Sequence, residues 1–173
     1  MGVLGVNLLF VGITLVLNGA ARLTNIPPKA VALMNAITAL IIVLGSFISL
    51  AHLINTGAPA AAFGDVASAM LFGFTYVFIA INNWFDLDWR PFAWFSLFVA
   101  IWAIYQVILS AQAHSWGFVW LWLAWAAVWA NGFLGTVCGW SLMDRIFPYL
   151  VIFVGITAAF VPAMMMLTDR WNF

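Results

Sequence analysis

The charged side chains of this chain, five Lys or Arg and five Asp, fall in or beside short connecting segments and leave six long apolar stretches with none in their interiors. That gap pattern restricts the fold more than any other feature. A helix of about 20 apolar residues crosses the hydrocarbon core of a bilayer. Inside that core every backbone N–H and C=O must find a partner within the protein, and an uninterrupted helix supplies it. Spans are expected at about residues 2–21, 30–53, 65–84, 92–112, 116–137 and 147–167. The chain reads as an all-α integral membrane protein, a single six-helix domain over residues 1–173.

Composition points the same way. Hydrophobic residues make up 67% and charged residues 6%, where a soluble domain carries roughly 25% charge. Such a chain cannot cover itself with a water-compatible surface, and six spans leave no room for a separate soluble domain. With zero net charge and no basic run, nothing indicates a nucleic-acid partner. Cys138 is the one cysteine, which excludes an intrachain disulfide and a thiolate metal cluster. The start of the chain has no basic region and no small-residue cleavage pattern, so residues 1–21 are expected to be a retained first helix.

The cations give an orientation. Arg22 and Lys29 lie between spans one and two, Arg90 between three and four, and Arg145 between five and six, while Arg170 alone lies on the other side. Short loops rich in Lys and Arg face the cytoplasm. Both termini, residues 55–64 and the connection at His114 are then outside. An internal repeat is not evident: Phe10-Val11-Gly12-Ile13-Thr14 recurs as Phe153-Val154-Gly155-Ile156-Thr157, but in spans of opposite direction, and reads as coincidence.

Ionisable residues within spans mark proton relays and ion-coupled transport. Their absence favours a passive path for a neutral solute. His52 and His114 both fall near outer span ends. They read as interfacial polar residues, or alternatively as ligands of a haem- or quinone-binding membrane subunit. Trp84, Trp89, Trp94, Trp116, Trp140 and Trp171 lie near span ends, as in interfacial aromatic belts. The fifth span differs. Phe118, Trp122, Trp125 and Trp129 are spaced 4, 3 and 4, which puts them on one helix face through mid-membrane. Either helix packing or an aromatic-lined passage accounts for such a stripe. Leu8, Val11, Leu15 and Asn18 form a second stripe on the first span, and Phe72, Tyr76 and Asn83 a third. A flat neutral amide could stack on indole faces there and meet sparse polar partners at its edge. No nucleophile–base arrangement, phosphate loop or metal spacing indicates an enzyme or a metal site.

The segments Leu71-Phe72-Gly73-Phe74-Thr75-Tyr76, Ala80-Ile81-Asn82 and Leu87-Asp88-Trp89-Arg90-Pro91 closely resemble the AmiS/UreI family. That family comprises the proton-gated urea channel of gastric bacteria and the short-chain amide channels of amidase operons. Further matches are Ser96-Leu97-Phe98-Val99-Ala100, Trp122-Leu123-Ala124-Trp125 with Trp129, Phe10-Val11-Gly12 with Asn18-Gly19, and Met34-Asn35. The resemblance covers all six spans. It implies a homo-oligomer, a hexameric ring of six-helix protomers with lipid at its centre and one channel in each protomer. It further implies urea or acetamide-like solutes, a bacterial inner-membrane location, no cofactor, and a functional link to a cytoplasmic urease or amidase. Leu8 and Trp122, with Phe118 where the gastric channel has Trp, match that family's outer constriction, and Val11 lies beside Leu8 on the same stripe. Leu15, Phe72, Tyr76, Trp125 and Trp129 match the inner constriction, and Asn18 a pore-side Asn. Two departures stand out. The long outer loops rich in His and acidic residues are replaced by the short, nearly uncharged residues 55–64 and 111–115, and Val154 stands where the gastric channel has a Glu. The expectation is a channel that acid does not gate.

Overall fold

The computed structural model describes residues 2–172. Helix α1 spans Gly2–Thr24, α2 Pro28–Asn55, α3 Phe63–Phe85, α4 Arg90–Gln112 and α5 Trp116–Thr136. A 3₁₀ turn, Ala60–Ala62, leads into α3. The last span, Ser141–Leu167, has three parts: α6 Ser141–Gly155, a π-turn Ile156–Phe160 and α7 Val161–Leu167. Six helical stretches are long and apolar enough to cross a membrane, and no strand occurs among the described residues.

The helix of the last span begins at Ser141, ahead of the apolar run that starts near residue 147. Hydropathy stops at Asp144 and Arg145, but the backbone is helical through both. Asp144 sits in the first turn of α6, where the helix dipole favours an anion. Arg22, near the end of α1, lies 4.5 Å over the Phe147 ring.

Each span is followed by one residue of positive φ: Asn25, Gly57, Asp86, His114, Gly139 and Asp169. This left-handed position closes off helix carbonyls. Asn, Asp and His tolerate it better than other side-chain-bearing residues. After α3, Asp86 and Leu87 both donate their N–H to the Asn82 carbonyl. Asp88 then accepts the Arg90 N–H at 2.9 Å and its Nε at 2.8 Å, and Pro91 occupies the first turn of α4. The Arg90 side chain and amide hold the Asp88 carboxyl below the usual carboxylate range. Ionised Asp88 therefore supports this turn, and the support fades only as pH falls below about 4.

Two compact units make up the chain. The smaller, Pro28–Leu87, is the α2–α3 hairpin. There Gly73 lets α2 come close: a Cβ on it would lie 2.7 Å from Val43 Cγ2. The larger unit holds α1 and α4 to α7. Its α4 packs on α5, with Trp94 edge-on to Phe133 at 5.1 Å and Ser96 beside Gly132.

In the larger unit α1 lies close against the last span. Gly5, Gly12 and Gly19, spaced by seven, face in turn Leu167 with Met166, Phe160 with Gly155, and Ile152 with Pro148. The reversed order makes the pair antiparallel. Lipid tails are as apolar as Leu, so helices in a membrane gain by close backbone approach over small residues. A Cβ at Gly12 would lie 2.7 Å from the Phe160 nitrogen and 2.8 Å from the Gly155 oxygen, and backbone atoms cannot swing aside. The recurring pentapeptides of the sequence thus meet at their central glycines.

The same chemical change should have opposite effects at two helical glycines. Gly12→Ala is expected to destabilise the protein by about 1–3 kcal/mol through overpacking. Gly45→Ala meets no atom within 4 Å and should stabilise by about 0.5–1 kcal/mol. Denaturant titration of detergent-solubilised protein measures both, and equal midpoints for the two variants would refute the packing described here.

Candidate functional site

In the larger unit the α1 stripe is buried: Leu8, Val11 and Leu15 are 2%, 1% and 9% exposed, and Asn18 is half-buried. Leu15 lies against Gly155 of the last span, so part of its bulk serves packing. On α5, Trp125 and Trp129 are buried, while Phe118 and Trp122 are half-buried. Trp122 and Trp125 pack edge to face with ring centroids 4.9 Å apart and planes at 84°. Phe118 meets Trp171 in a similar arrangement at 5.7 Å. Within the α5 stripe Trp122 and Trp125 are therefore crossed rather than stacked.

The smaller unit carries Phe72 and Tyr76 one turn apart on α3, half-buried and buried respectively. Asn83 is half-buried. Its neighbour Asn82 is buried, and its side-chain Nδ2 has no hydrogen-bond partner among the described atoms. Ser68 and Thr75 turn their hydroxyls back to the carbonyls of Gly64 and Leu71, a common way for a hydroxyl on a membrane helix to be satisfied.

What the aromatic stripe does not reveal by spacing is how Trp125 is held. Its Nε1–H donates to the Ala158 carbonyl at 3.0 Å, a buried bond from α5 to the π-turn. Trp120, off the stripe, donates likewise to the Thr157 carbonyl at 3.3 Å. Both carbonyls lack an ordinary helical donor. Pro162, four residues after Ala158, has no N–H. The Val161 N–H, which an α-helix would direct to Thr157, goes instead to Ile156. Pro162 was visible in the sequence as a break in an apolar span; the Trp125 indole takes the carbonyl it leaves without a donor, and the Trp120 indole the one left by the π-turn.

The histidines are accounted for by position. His52 is exposed in the last turn of α2. His114 is exposed, ends α4 at φ 55° and packs against Trp116. No group of three or more His, Cys, Asp or Glu residues that could hold a metal occurs among the described residues. Cys138 is exposed.

Six apolar spans with no charge at mid-span define a multi-pass membrane protein, and the relatives of this chain are channels and transporters. The pattern of AmiS/UreI family transporters matches residues 3–170, and the chain belongs to this family. It is 33% identical to the acid-activated urea channel of Helicobacter pylori, over 97% of this chain and 99% of that one. It is 30% identical to a putative amidate substrates transporter protein of Mycolicibacterium smegmatis, over 97% of this chain and 78% of the relative. The crystal structure of the Helicobacter pylori urea channel superposes with a TM-score of 0.87 at 34% identity, covering 98% of this chain and 99% of that one. These relatives give no support to the haem- or quinone-binding alternative for His52 and His114.

A role for His114 in ending α4 has a measurable consequence. The left-handed conformation costs a side-chain-bearing residue roughly 1–2 kcal/mol. His114→Gly should raise the thermal midpoint in detergent and His114→Val should lower it. A rise with Val, or a fall with Gly, would contradict the assignment.

Proposed function

We propose that this protein is a passive channel for urea or short-chain aliphatic amides, a single domain with one path in each protomer of a homo-oligomer, and that acid does not gate it. The observation that carries this reading is the α5 stripe: Trp122, Trp125 and Trp129 run through mid-span, enclosed or partly enclosed, in a chain with no charge there. In the larger unit Leu8, Val11, Leu15 and Asn18 on α1 and Phe118 on α5 are proposed as lining with them, and in the smaller unit Phe72 and Tyr76 on α3; all but Val11, which lies beside Leu8, are positions carried over from the family resemblance. Conduction needs contacts weak enough for exit as well as entry. Aromatic faces with few polar groups supply them to a flat neutral amide, and give an ion nothing in exchange for its hydration shell. Family membership supports the solute class, since relatives are described as a urea channel and an amidate transporter.

The same reading places the protein in the bacterial inner membrane as a hexameric ring. Arg22, Lys29, Arg90 and Arg145 face the cytoplasm, and both termini lie outside. A cytoplasmic urease or amidase would consume the solute. Absence of acid gating is supported by the short outer segments, residues 55–64 and 111–115, which carry no acidic residue and one histidine, His114.

Stopped-flow swelling of proteoliposomes tests the proposal. Urea and acetamide flux should exceed that of protein-free vesicles, and no excess for either would refute it. Flux should stay level between about pH 7 and about pH 5, the interval in which an ordinary histidine titrates; a steep rise on acidification would refute the ungated part. Tyr76→Ala or Trp129→Ala should change flux or the urea-to-acetamide ratio by on the order of ten-fold, equivalent to about 1.4 kcal/mol in a barrier, with the oligomer intact. Unchanged transport in both would make these packing residues.

A further inference from the structure

The π-turn and Pro162 leave one feature that the channel reading does not use. A helix buried in lipid should not expose unpaired carbonyls, since each costs several kcal/mol in hydrocarbon. The last span nevertheless interrupts its own ladder between Ile156 and Pro162. Val161 bonds back to Ile156, and Pro162 cannot bond to Ala158. The vacated acceptors are taken by α5, through Trp125 on Ala158 at 3.0 Å and Trp120 on Thr157 at 3.3 Å. The turn is confined from α1 as well, where Gly12 comes so close that a Cβ would reach the Phe160 nitrogen. Ala158, Ala159 and Ala163 are fully buried, so the segment has no slack.

We propose that Pro162 is a positioning residue for the solute path, acting through Trp125. By withholding a backbone donor from Ala158, it ties the Trp125 indole by its N–H edge to the last span. The ring then stands crossed against Trp122, with planes at 84°, and offers a solute its face. Its N–H is already spent on the carbonyl. Selection by Trp125 is then by flatness and stacking, with its own donor unavailable to a urea or amide oxygen. The inference rests on the reading that the α5 stripe lines the path.

The experiment pairs a spectroscopic readout with a transport one. Protein labelled with ¹⁵N-tryptophan is reconstituted in lipid bilayers, and the Trp125 indole signal is identified by its loss in Trp125→Phe. In the native protein that signal should be hydrogen-bonded and slow to exchange in D₂O. Pro162→Ala restores a backbone N–H that competes for the Ala158 carbonyl. The Trp125 signal should then shift and exchange faster, and the urea-to-acetamide permeability ratio should change about five-fold, the factor carried by one net hydrogen bond. A Trp125 signal unmoved by Pro162→Ala overturns the proposal, whatever the ratio does. If Pro162→Ala does not assemble, Trp125→Phe decides: it keeps a ring and removes the donor, so an unaltered ratio overturns the proposal. Absence of any native flux would instead remove the channel reading, while the Trp125 signal would still report whether Pro162 positions the indole.

Discussion

Between Ile156 and Pro162 the last span leaves two carbonyls without their ordinary helical donors, and hydrocarbon holds no water to take them. Much of the larger unit follows from that shortage. Two indole N–H groups must come from a neighbouring helix, so α5 has to lie alongside the π-turn with Trp120 and Trp125 aimed at it. Once Trp125 is fixed, the rest of its stripe on α5 is fixed with it by helical periodicity. The aromatic face that looks like a functional surface is also a structural fastening.

The opposite problem is solved on α1, where no polar group is involved. Helices in lipid gain nothing by hiding apolar surface from one another, so closeness itself has to supply the attraction. Gly5, Gly12 and Gly19 give α1 a smooth line along which the last span lies backbone to backbone. Gly155 answers from the other side, its own missing Cβ making room for Leu15. A residue assigned to the proposed lining by spacing therefore also holds the helix pair together. The two roles need not compete, because a leucine can pack with its stem and face a path with its tip.

Membrane spans are unusually legible in a sequence because the solvent punishes exceptions. Charge, Gly, Pro and polar breaks together located six helices, and those places are where the chain turns: Asn25, Gly57, Asp86, His114, Gly139 and Asp169 each take the left-handed conformation after a helix. Hydropathy marked the apolar part of the last span from about residue 147 and not its helix start at Ser141, because a helix end that carries Asp144 and Arg145 reads like a loop. The stripes on α1, α3 and α5 could be read from spacing, but the partner of each face could not. The Trp125–Ala158 bond joins residues 33 apart in sequence, and nothing local to either announces it. The shared pentapeptide looked accidental because antiparallel spans have no reason to repeat in sequence. The crossing of Gly12 and Gly155 supplies one: at a symmetric close contact both helices face the same steric demand.

The arrangement bears on how a path without charges could be selective. A buried indole has one polar atom, and in a dry site that atom is worth most to whichever partner lacks an alternative. A backbone carbonyl stripped of its helical donor has none, whereas a passing urea or amide brings a hydration shell it can keep until the narrowest point. The fold therefore commits the Trp125 N–H to itself, and Trp125 brings only its ring to the proposed lining. Faces bind weakly and without preference for one end of a solute, which suits transit better than capture. The outer ends follow the same economy. His114 is occupied in reversing the chain after α4, and no acidic residue stands in residues 111–115 to pair with it on protonation. A titrating group moves a gate only if its two charge states favour two different structures. On the proposed ungated reading, His114 at a tight helix end, with no carboxylate in residues 111–115, supplies no second structure of that kind.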